Sequence, residues 1–334
     1  MDMLKKVLQS YRIYPIDTEQ ITDRLFRIND GKRDYALKRS SLTEETVAAW
    51  QNVYHMANEK NISEIVPVYL TKEGKLYEQT NNGIFYLTPW VEHSDENKER
   101  NSISITLDSL ARLHEKTKKS HRISRDTLKE NFDTYLAFCK RLPGELRGYV
   151  IQFEKKTYMS PFELQVCTHF RVMEYAFQLI NTRISEFLDQ SEEEFIWNHS
   201  LCHGNLRTDH MLNGYMINWE KAGYNHAAAD LADYFSRLTG NYDQPADQIN
   251  EAFRKYKKIN DLSEAELKLL SIYLLNPSHY ITIIRDYKEK PSDKPMADQV
   301  KDLQRQYRNL LFAVKWTEFI KDEYEGITFE DTEL

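Results

Sequence analysis

The densest group of chemically capable side chains lies within residues 199–210. Five residues in this stretch are of types that ligate metals or move protons: His199, Cys202, His203, Asp209 and His210. Histidine, cysteine and carboxylate groups together are typical of transition-metal sites. Structural zinc sites often draw on paired cysteines, and this stretch contains only one. The sequence therefore favours a loop that positions side chains for chemistry, with zinc or another transition metal as the minor alternative.

Composition limits the class of protein that carries this loop. The chain has 334 residues, which is the length of about two domains or lobes. Hydrophobic residues make up 41% of the sequence, enough for a sizeable core. Lysine and arginine number 45 against 52 aspartate and glutamate residues, a net charge of −7 with both signs interspersed. A nucleic-acid or anionic-membrane binder needs a basic surplus or stripe, so we predict neither partner.

Targeting signals and membrane spans are not indicated. The longest uncharged run, residues 269–284, is interrupted by Asn276, Pro277 and His279, and it does not predict a membrane span. The first residues, Met-Asp-Met-Leu-Lys-Lys, lack the apolar core of a secretory signal. The three cysteines are dispersed and odd in number, which disfavours a disulfide framework. We expect a soluble protein that is synthesised in the cytoplasm without a signal peptide.

The first hundred residues predict a small antiparallel sheet that carries one helix. Two strand patterns flank Asn29-Asp30-Gly31, a strong hairpin signal. Ser41 followed three residues later by Glu44 suggests a capping box and a helix to about Lys60. Three further strand patterns follow, at Ile65–Leu70, Lys75–Tyr77 and Ile84–Leu87.

From about Ser102 the apolar periodicity becomes helical. Helical stripes run through five segments: Leu107–His114, Leu128–Cys139, Leu164–Leu188, Ser263–Leu275 and Met296–Tyr324. Residues 196–223 form a non-helical island between them, and this island contains the reactive cluster. The fold class is therefore α+β, with a small antiparallel-sheet N-terminal lobe and connector in residues 1–92 and a large, mostly helical C-terminal lobe in residues 93–334.

This arrangement resembles the aminoglycoside phosphotransferase and choline kinase branch of the two-lobe protein-kinase-like fold. Three local matches carry the resemblance: Tyr35–Arg39, Leu110–His114, and Cys202–Asn205 followed by Ile217–Glu220 and Asp230–Asp233. The Leu-Cys-His-Gly loop and the Asn-Trp-Glu-Lys-Ala turn are most similar to the CotS family of bacterial spore coat proteins, and within it to the YsxE-type subgroup.

The resemblance implies that the catalytic positions are altered. Active members carry aspartate at the positions of Asn205 and Asn218 and asparagine at the position of His210. The first aspartate orients or deprotonates the acceptor hydroxyl, and the other two residues hold Mg²⁺. An amide has no useful proton affinity near neutral pH, so Asn205 cannot act as a general base. Asn218 offers a neutral oxygen where Mg²⁺ prefers a carboxylate. The site is therefore predicted to be degenerate.

Other members of the site keep possible roles. Lys38 would contact nucleotide phosphates, with an exposed strand lysine as the alternative, and its helical carboxylate partner is open between Glu44, Glu45 and Glu59. His203 and Asp230 would brace the loop through hydrogen bonds. Glu220, or Asp209, offers a carboxylate that a metal ion could use instead of the missing ones.

The leading hypothesis is a catalytically degenerate kinase-like protein that serves as a structural or assembly component of the spore coat. Its partners would be other coat proteins, and no cofactor is expected. The first alternative is an active small-molecule phosphotransferase that uses ATP and Mg²⁺ through Lys38 and Glu220 or Asp209. The second is a sensor that binds a nucleotide or small ligand without converting it. Magnesium-dependent ATP turnover separates the first alternative from the other two hypotheses.

Overall fold

The computed structural model describes residues 2–92, 102–189, 194–241, 243, 245–289 and 293–326. The chain divides into two compact units: Met1–Lys118 with His199–Asn225, and Lys119–Asn198 with His226–Leu334. The lobe boundary predicted at residue 92 is not tested by this division and stays a prediction. The first unit runs on to Lys118 and also includes the predicted reactive island.

The first unit contains a five-stranded sheet. Its helices and strands are α1 (Asp2–Ser10), β1 (Asp17–Gln20), β2 (Leu25–Asn29), β3 (Asp34–Arg39), α2 (Val47–Glu59), β4 (Glu78–Thr80), β5 (Gly83–Pro89) and α3 (Ser102–Thr117). The strand order is β1-β2-β3-β5-β4, and every neighbouring pair is antiparallel. The predicted β2–β3 hairpin is confirmed. Its turn places Gly31 at φ +87°, and the Asp30 carboxylate accepts hydrogen bonds from the N–H groups of Lys32 and Arg33.

The core of this sheet lies against α1. Side chains on one face of β2, β3 and β5 pack with the apolar side of the helix; the buried cluster comprises Val7, Leu8, Tyr11, Ile13, Ile28, Tyr35, Leu37, Phe85 and Leu87. The opposite face of β3 and β5 presents Lys38 and Tyr86, which are direct cross-strand neighbours. The alternation of each strand therefore separates a structural face from the face that carries the candidate site.

The predicted helix start at Ser41 is wrong. Helix α2 begins at Val47 after the N-cap residue Thr46. Ser40 still belongs to the sheet, because its N–H and its hydroxyl both donate to the Ile84 carbonyl, at 2.8 and 3.1 Å. The chain must then make a turn before the helix can start, and the Ser41–Glu44 spacing falls within that connection.

Two of the three later strand predictions are also wrong. Residues 66–70 and 75–77 form no strand, and Ile65 makes one isolated parallel bridge to Met216. Pro67 has no N–H to donate, and the Val66 N–H bonds to the Met216 carbonyl instead of a sheet neighbour. The third prediction, at Ile84–Leu87, is confirmed within β5. Helix α1 and strands β1 and β4 were not predicted.

The reactive island consists of short elements. After β7 (Glu194–Cys202) come a 3₁₀ turn (Thr208–His210), β8 (Met211–Leu212), β9 (Tyr215–Met216), a second 3₁₀ turn (Trp219–Lys221) and β10 (Gly223–Asn225). Strand β10 pairs antiparallel with the end of β7, with Gly223 opposite Cys202. Strands β8 and β9 form a hairpin across Asn213 and Gly214, both at positive φ.

The second unit is helical. It contains β6 (Lys119–Ser124), α4 (Arg125–Glu154), α5 (Pro161–Leu188), α6 (Ala227–Thr239), α7 (Ala246–Ile259), α8 (Glu264–Leu274), α9 (Ser278–Glu289) and α10 (Met296–Tyr324). The capping box predicted at Ser263 and Glu266 is confirmed, and α10 has the predicted bounds. Helices α4, α5, α9 and α10 share an apolar core that includes Leu146, Phe177, Ile284 and Leu310. Among the described residues, no helix is long and apolar enough to cross a bilayer.

Candidate functional site

A partly buried ion pair forms the centre of the site. The Lys38 ammonium on β3 lies 2.5 Å from Oε1 of Glu220 in the second 3₁₀ turn. It also donates a hydrogen bond to Oδ1 of Asn218. The Tyr86 hydroxyl on β5 donates to the same Glu220 oxygen at 2.9 Å. Lys38 is thus held by two residues of the turn, and the alternative of an exposed strand lysine does not apply.

The contacts among Lys38, Glu220 and Tyr86 set the protonation states of Glu220 and Tyr86. Burial alone would raise the pKa of the Glu220 carboxyl, but the Lys38 charge, the hydrogen bond from Lys38, a backbone N–H and the Tyr86 hydroxyl together lower it. Burial, and then the Glu220 charge, raise the pKa of Tyr86 well above its ordinary value. At neutral pH Glu220 is therefore ionised against Lys38, and Tyr86 keeps its proton.

The turn that carries Asn218 and Glu220 has a fixed shape. Asn218 adopts a left-handed backbone (φ +69°, ψ +52°), a conformation that asparagine tolerates better than most residues. The following Trp219 is fully buried, and its Nε1 donates to the Met216 carbonyl at 2.9 Å. The buried indole anchors the turn, and the side chains on either side of it reach Lys38.

Residues 202–205 are joined to the same turn. The buried His203 donates from Nε2 to the Ile217 carbonyl at 2.8 Å, and its ring packs on Trp219 with centroids 4.6 Å apart. Gly204 has φ +71°, and a Cβ atom there would stand 2.3 Å from the Lys221 carbonyl oxygen. Only glycine fits this approach of loop to turn.

Asn205 and His210 occupy the next positions of the loop. Asn205 is half-buried, and the His210 ring that follows it in the loop is buried. Burial, followed by the neighbouring charge of His203, lowers the pKa of His210 to about 4, so its ring is neutral at neutral pH. The exposed Asp209 is bound at 3.0 and 2.9 Å by the guanidinium of Arg207.

The remaining sequence candidates lie elsewhere. Asp230 is buried in the first turn of α6, in the second unit, and its bracing role stays a prediction. The buried Cys202 thiol contacts the Ser200 and Asn225 carbonyls at 3.5 and 3.4 Å. Of the five described side chains considered for a metal site, no three bring their ligand atoms together.

A cavity of about 410 Å³ opens beside the ion pair. Its lining includes Leu25 and Ala36 from the sheet, residues 88–91 at the end of β5, and Leu212, Ile217 and Asn218 from the island. Lys38 and Tyr86 contribute to the same wall, and Arg24 also belongs to the lining.

Helix α2 contributes aromatic side chains and no carboxylate to the site. Tyr54 lines the cavity, and Trp50 packs on Tyr86 with ring centroids 5.0 Å apart. Glu44, Glu45 and Glu59, the glutamates considered as partners of Lys38, are exposed. The carboxylate partner of Lys38 is Glu220, which had been predicted as a possible metal ligand instead. Tyr86 and Tyr54 were missed, and the signal that could have found Tyr86 is its place in the predicted strand Ile84–Leu87, which pairs with the strand of Lys38 in the structure.

Comparison with protein families decides the relationship. Residues 4–315 match the family model described as "Spore coat putative kinase YutH". The chain belongs to this family. The predicted relationship to CotS-type spore coat proteins with a phosphotransferase-like fold is therefore confirmed, and the matching family is named for YutH where the loop motifs had pointed to the YsxE-type subgroup.

Solved structures show the fold. An aminoglycoside phosphotransferase from Alicyclobacillus acidocaldarius superposes with a TM-score of 0.70 at 15% identity, covering 95% of this chain and 96% of that one. The spectinomycin phosphotransferase APH(9)-Ia, in its AMP-bound complex, gives 0.59 at 14% identity, covering 94% and 97%. The amicoumacin kinase hAmiN gives 0.57 at 14% identity, covering 94% and 93%. The comparison with curated proteins found no match.

Proposed function

We propose that this spore coat family member is a catalytically inactive kinase-like protein that acts as a structural or assembly component of the coat. One observation carries the proposal. The cation that would meet a nucleotide phosphate, Lys38, is held at 2.5 Å by the carboxylate of Glu220. The residue beside them, Asn218, also accepts a hydrogen bond from Lys38.

The chemistry of the altered positions supports inactivity. A general base contributes roughly 10²–10⁴-fold to catalysis, and the amide of Asn205 cannot supply this. Mg²⁺ requires oxygen ligands in near-octahedral geometry, usually with carboxylates among them. Asn218 supplies a neutral oxygen to Lys38, and the ring of His210 is buried and neutral. Phosphoryl transfer rests on positioning and charge neutralisation, and both are weakened here.

The two carboxylates considered as replacements are already engaged. Glu220 forms an ion pair with Lys38 and accepts a hydrogen bond from Tyr86. Both carboxylate oxygens of Asp209 accept hydrogen bonds from the Arg207 guanidinium. A metal ion at Glu220 would have to separate a partly buried ion pair and leave Lys38 without its carboxylate, which is costly. An active phosphotransferase, the second candidate, therefore needs a rearranged site. It is favoured by the retention of Lys38 beside a cavity and by the kinase folds of the structural neighbours.

Complementation in a spore-forming host tests whether the coat role depends on catalysis. A strain that lacks the gene is supplied with the wild type or with the double variant Lys38→Met/Glu220→Gln. The double variant removes both charges together, so that neither is left buried alone. We expect both forms to reach the coat in equal amounts and to restore the same coat protein composition. Coats that lack proteins in the variant strain, despite normal levels of the variant itself, would contradict the proposal.

A further inference from the structure

Two sheet edges of this chain carry charges of opposite sign. We infer that the acidic edge strand β1 of one copy pairs with the basic edge strand β6 of a second copy, so that copies of the chain assemble head to tail. This pairing deepens the proposed function and rests on it, because it gives a coat component without catalysis a defined assembly partner. The partner is the same protein.

The acidic edge is β1 (Asp17–Gln20), at one end of the five-stranded sheet. All four of its residues are exposed, and its two charged residues, Asp17 and Glu19, are both negative. Arg27, which lies opposite Glu19 on β2, is bound by Asp34 at 2.6 Å. In the part of the chain that the structure describes, no strand lies outside β1. Its outer side therefore presents backbone groups and negative charge to solvent.

The basic edge is β6 (Lys119–Ser124), the last strand in the order β10-β7-β6. Five of its six residues are exposed, and its lysine and arginine, Lys119 and Arg122, are both positive. Towards β7, the Ser120 hydroxyl donates to the Asn198 side chain at 2.7 Å. Among the described residues no strand follows on the other side of β6, which is therefore open to a further strand.

The other edges of the described sheets have no such charge. Strand β4 has three residues, of which only Gln79 is exposed. Strands β8, β9 and β10 contain no charged residue. Charge complementarity therefore selects β1 and β6 as the pair.

The signs of the two edges also select the geometry of the contact. Like charges that face each other across a strand pair are destabilising, so β1 does not favour β1 of another copy, nor β6 another β6. The net charge of −7 opposes association at long range, so the attraction has to come from the facing edges. A contact between two different edges is heterologous, and it leaves one acidic and one basic edge open at the ends of every assembly.

The spacing of the charges lets the two edges match. Asp17 and Glu19 share one face of β1, because alternate residues of a strand point to the same side. An antiparallel register that sets Glu19 opposite Lys119 is available. In this register Asp17 lies opposite His121 and beside Arg122. Each carboxylate thus faces a basic side chain, which is the arrangement that stabilises a strand pair.

Adding a strand at β1 disturbs little and covers apolar surface. The exposed Thr18 N–H is bonded to the neighbouring Asp17 carboxylate at 2.8 Å, a local contact that water or an incoming strand can replace. Just before the strand, the side chains of Tyr14 and Ile16 are 72% and 74% exposed. Removing part of their surface from water favours association.

Sedimentation velocity of the wild-type protein at low ionic strength tests the inference without any variant. We expect the average mass to rise with protein concentration from that of one chain to more than that of two, because a heterologous dimer still has both kinds of edge open. Low ionic strength is chosen because salt screens the facing charges. A mass that stays at one chain, or stops at two, overturns the inference.

Reversing the acidic edge should prevent the contact. In the acidic-edge variant, Asp17→Lys/Glu19→Lys, both edges are basic, and we expect self-association to weaken at least about tenfold. The matched control is Glu44→Lys/Glu45→Lys, which changes the net charge equally at exposed residues between β3 and α2. The control should associate as the wild type does.

Reversing the basic edge should have the same effect. In the basic-edge variant, Lys119→Glu/Arg122→Glu, both edges are acidic, and a loss of at least about tenfold is again expected. Its matched control is Lys129→Glu/Lys140→Glu, at exposed positions of α4. Association that is unchanged in both edge variants would show that other surfaces carry it.

An equimolar mixture of the two edge variants gives the reciprocal result. Each variant alone has two edges of one sign, but the mixture again offers edges of opposite sign. We expect association to return to within about threefold of the wild-type strength. A folding defect in either variant cannot be rescued in this way, and two folded variants that stay monomeric together contradict the pairing of β1 with β6.

Amide hydrogen exchange identifies the segments that pair. In the associated wild type, the amides of residues 17–20 and 119–124 should exchange more slowly than in the monomer, and those of β4 should not change. Protection confined to other segments overturns the inference. None of these measurements depends on ADP formation or on complementation, so their failure leaves the proposed function standing.

Discussion

The proposed loss of phosphoryl transfer rests on the charge of a few side chains. Amides stand at Asn205 and Asn218, and the one carboxylate at the centre, Glu220, is bound to Lys38. Neutral amides are weaker ligands than carboxylates for the divalent cations that phosphate chemistry requires. The framework around them is intact, since His203 joins the loop to the Ile217 carbonyl and Trp219 anchors the turn.

Residue types alone identified most members of the site but not their contacts. Lys38, Asn218 and Glu220 were candidates from the sequence. That Lys38 meets a residue about 180 positions later depends on tertiary structure, because the strand and the turn are brought together only by folding. The glutamates near α2 were plausible partners by sequence distance, and they are wrong because they are exposed. Tyr86 was missed because tyrosine is a common residue in strands and therefore does not stand out as a site residue.

Gly204 is predicted to be the least replaceable glycine of the loop. In Gly204→Ala the new methyl would stand 2.3 Å from the Lys221 carbonyl oxygen, in addition to the cost of a positive φ. We expect the free energy of unfolding to fall by about 3 kcal/mol or more. Gly74→Ala is the matched control. Its φ is +77°, but no atom lies within 4 Å of the new methyl, so only the backbone cost of about 1–2 kcal/mol should be measured. Equal losses in urea unfolding would contradict the tight contact.

At the scale of elements, the same local pattern leads to different structures in different surroundings. Three of the Ser-x-x-Glu patterns in the sequence begin at Ser41, Ser160 and Ser263. The second and third form complete capping boxes that begin α5 and α8, and the first does not begin a helix. At Ser41 the preceding residue is still bonded to Ile84, and this tertiary contact overrides the local preference. Long amphipathic helices such as α10 were predictable because their periodicity is repeated over many turns.

Alanine substitution of the two predicted cap serines measures this difference. In Ser263→Ala the N–H of Glu266 loses its acceptor, and we expect a loss of about 1 kcal/mol in the free energy of unfolding. In Ser41→Ala no capping hydrogen bond is lost, so the change should stay within about 0.5 kcal/mol. Both serines are exposed, which makes the pair well matched. A loss at Ser41 equal to that at Ser263 would show that α2 is capped there after all.

For the whole molecule, the kinase-like fold and the spore coat family are shown, and they leave the activity open. The α+β class was predictable from strand patterns followed by helical ones. The division into units was not, because residues 199–225 join the first unit although β6, the long helices α4 and α5 and the first part of β7 separate them from it in the sequence. Such a return of the chain leaves no local signal.

We propose that the site does not transfer phosphate. The most direct measurement is ADP formation by the purified wild type with ATP and Mg²⁺, compared with the double variant Lys38→Met/Glu220→Gln prepared in the same way. We predict that the two rates are equal and stay at the background of spontaneous hydrolysis, because Asn205 supplies no base and Lys38 is neutralised by Glu220. Magnesium-dependent ADP formation that is present in the wild type and lost in the double variant would contradict the account.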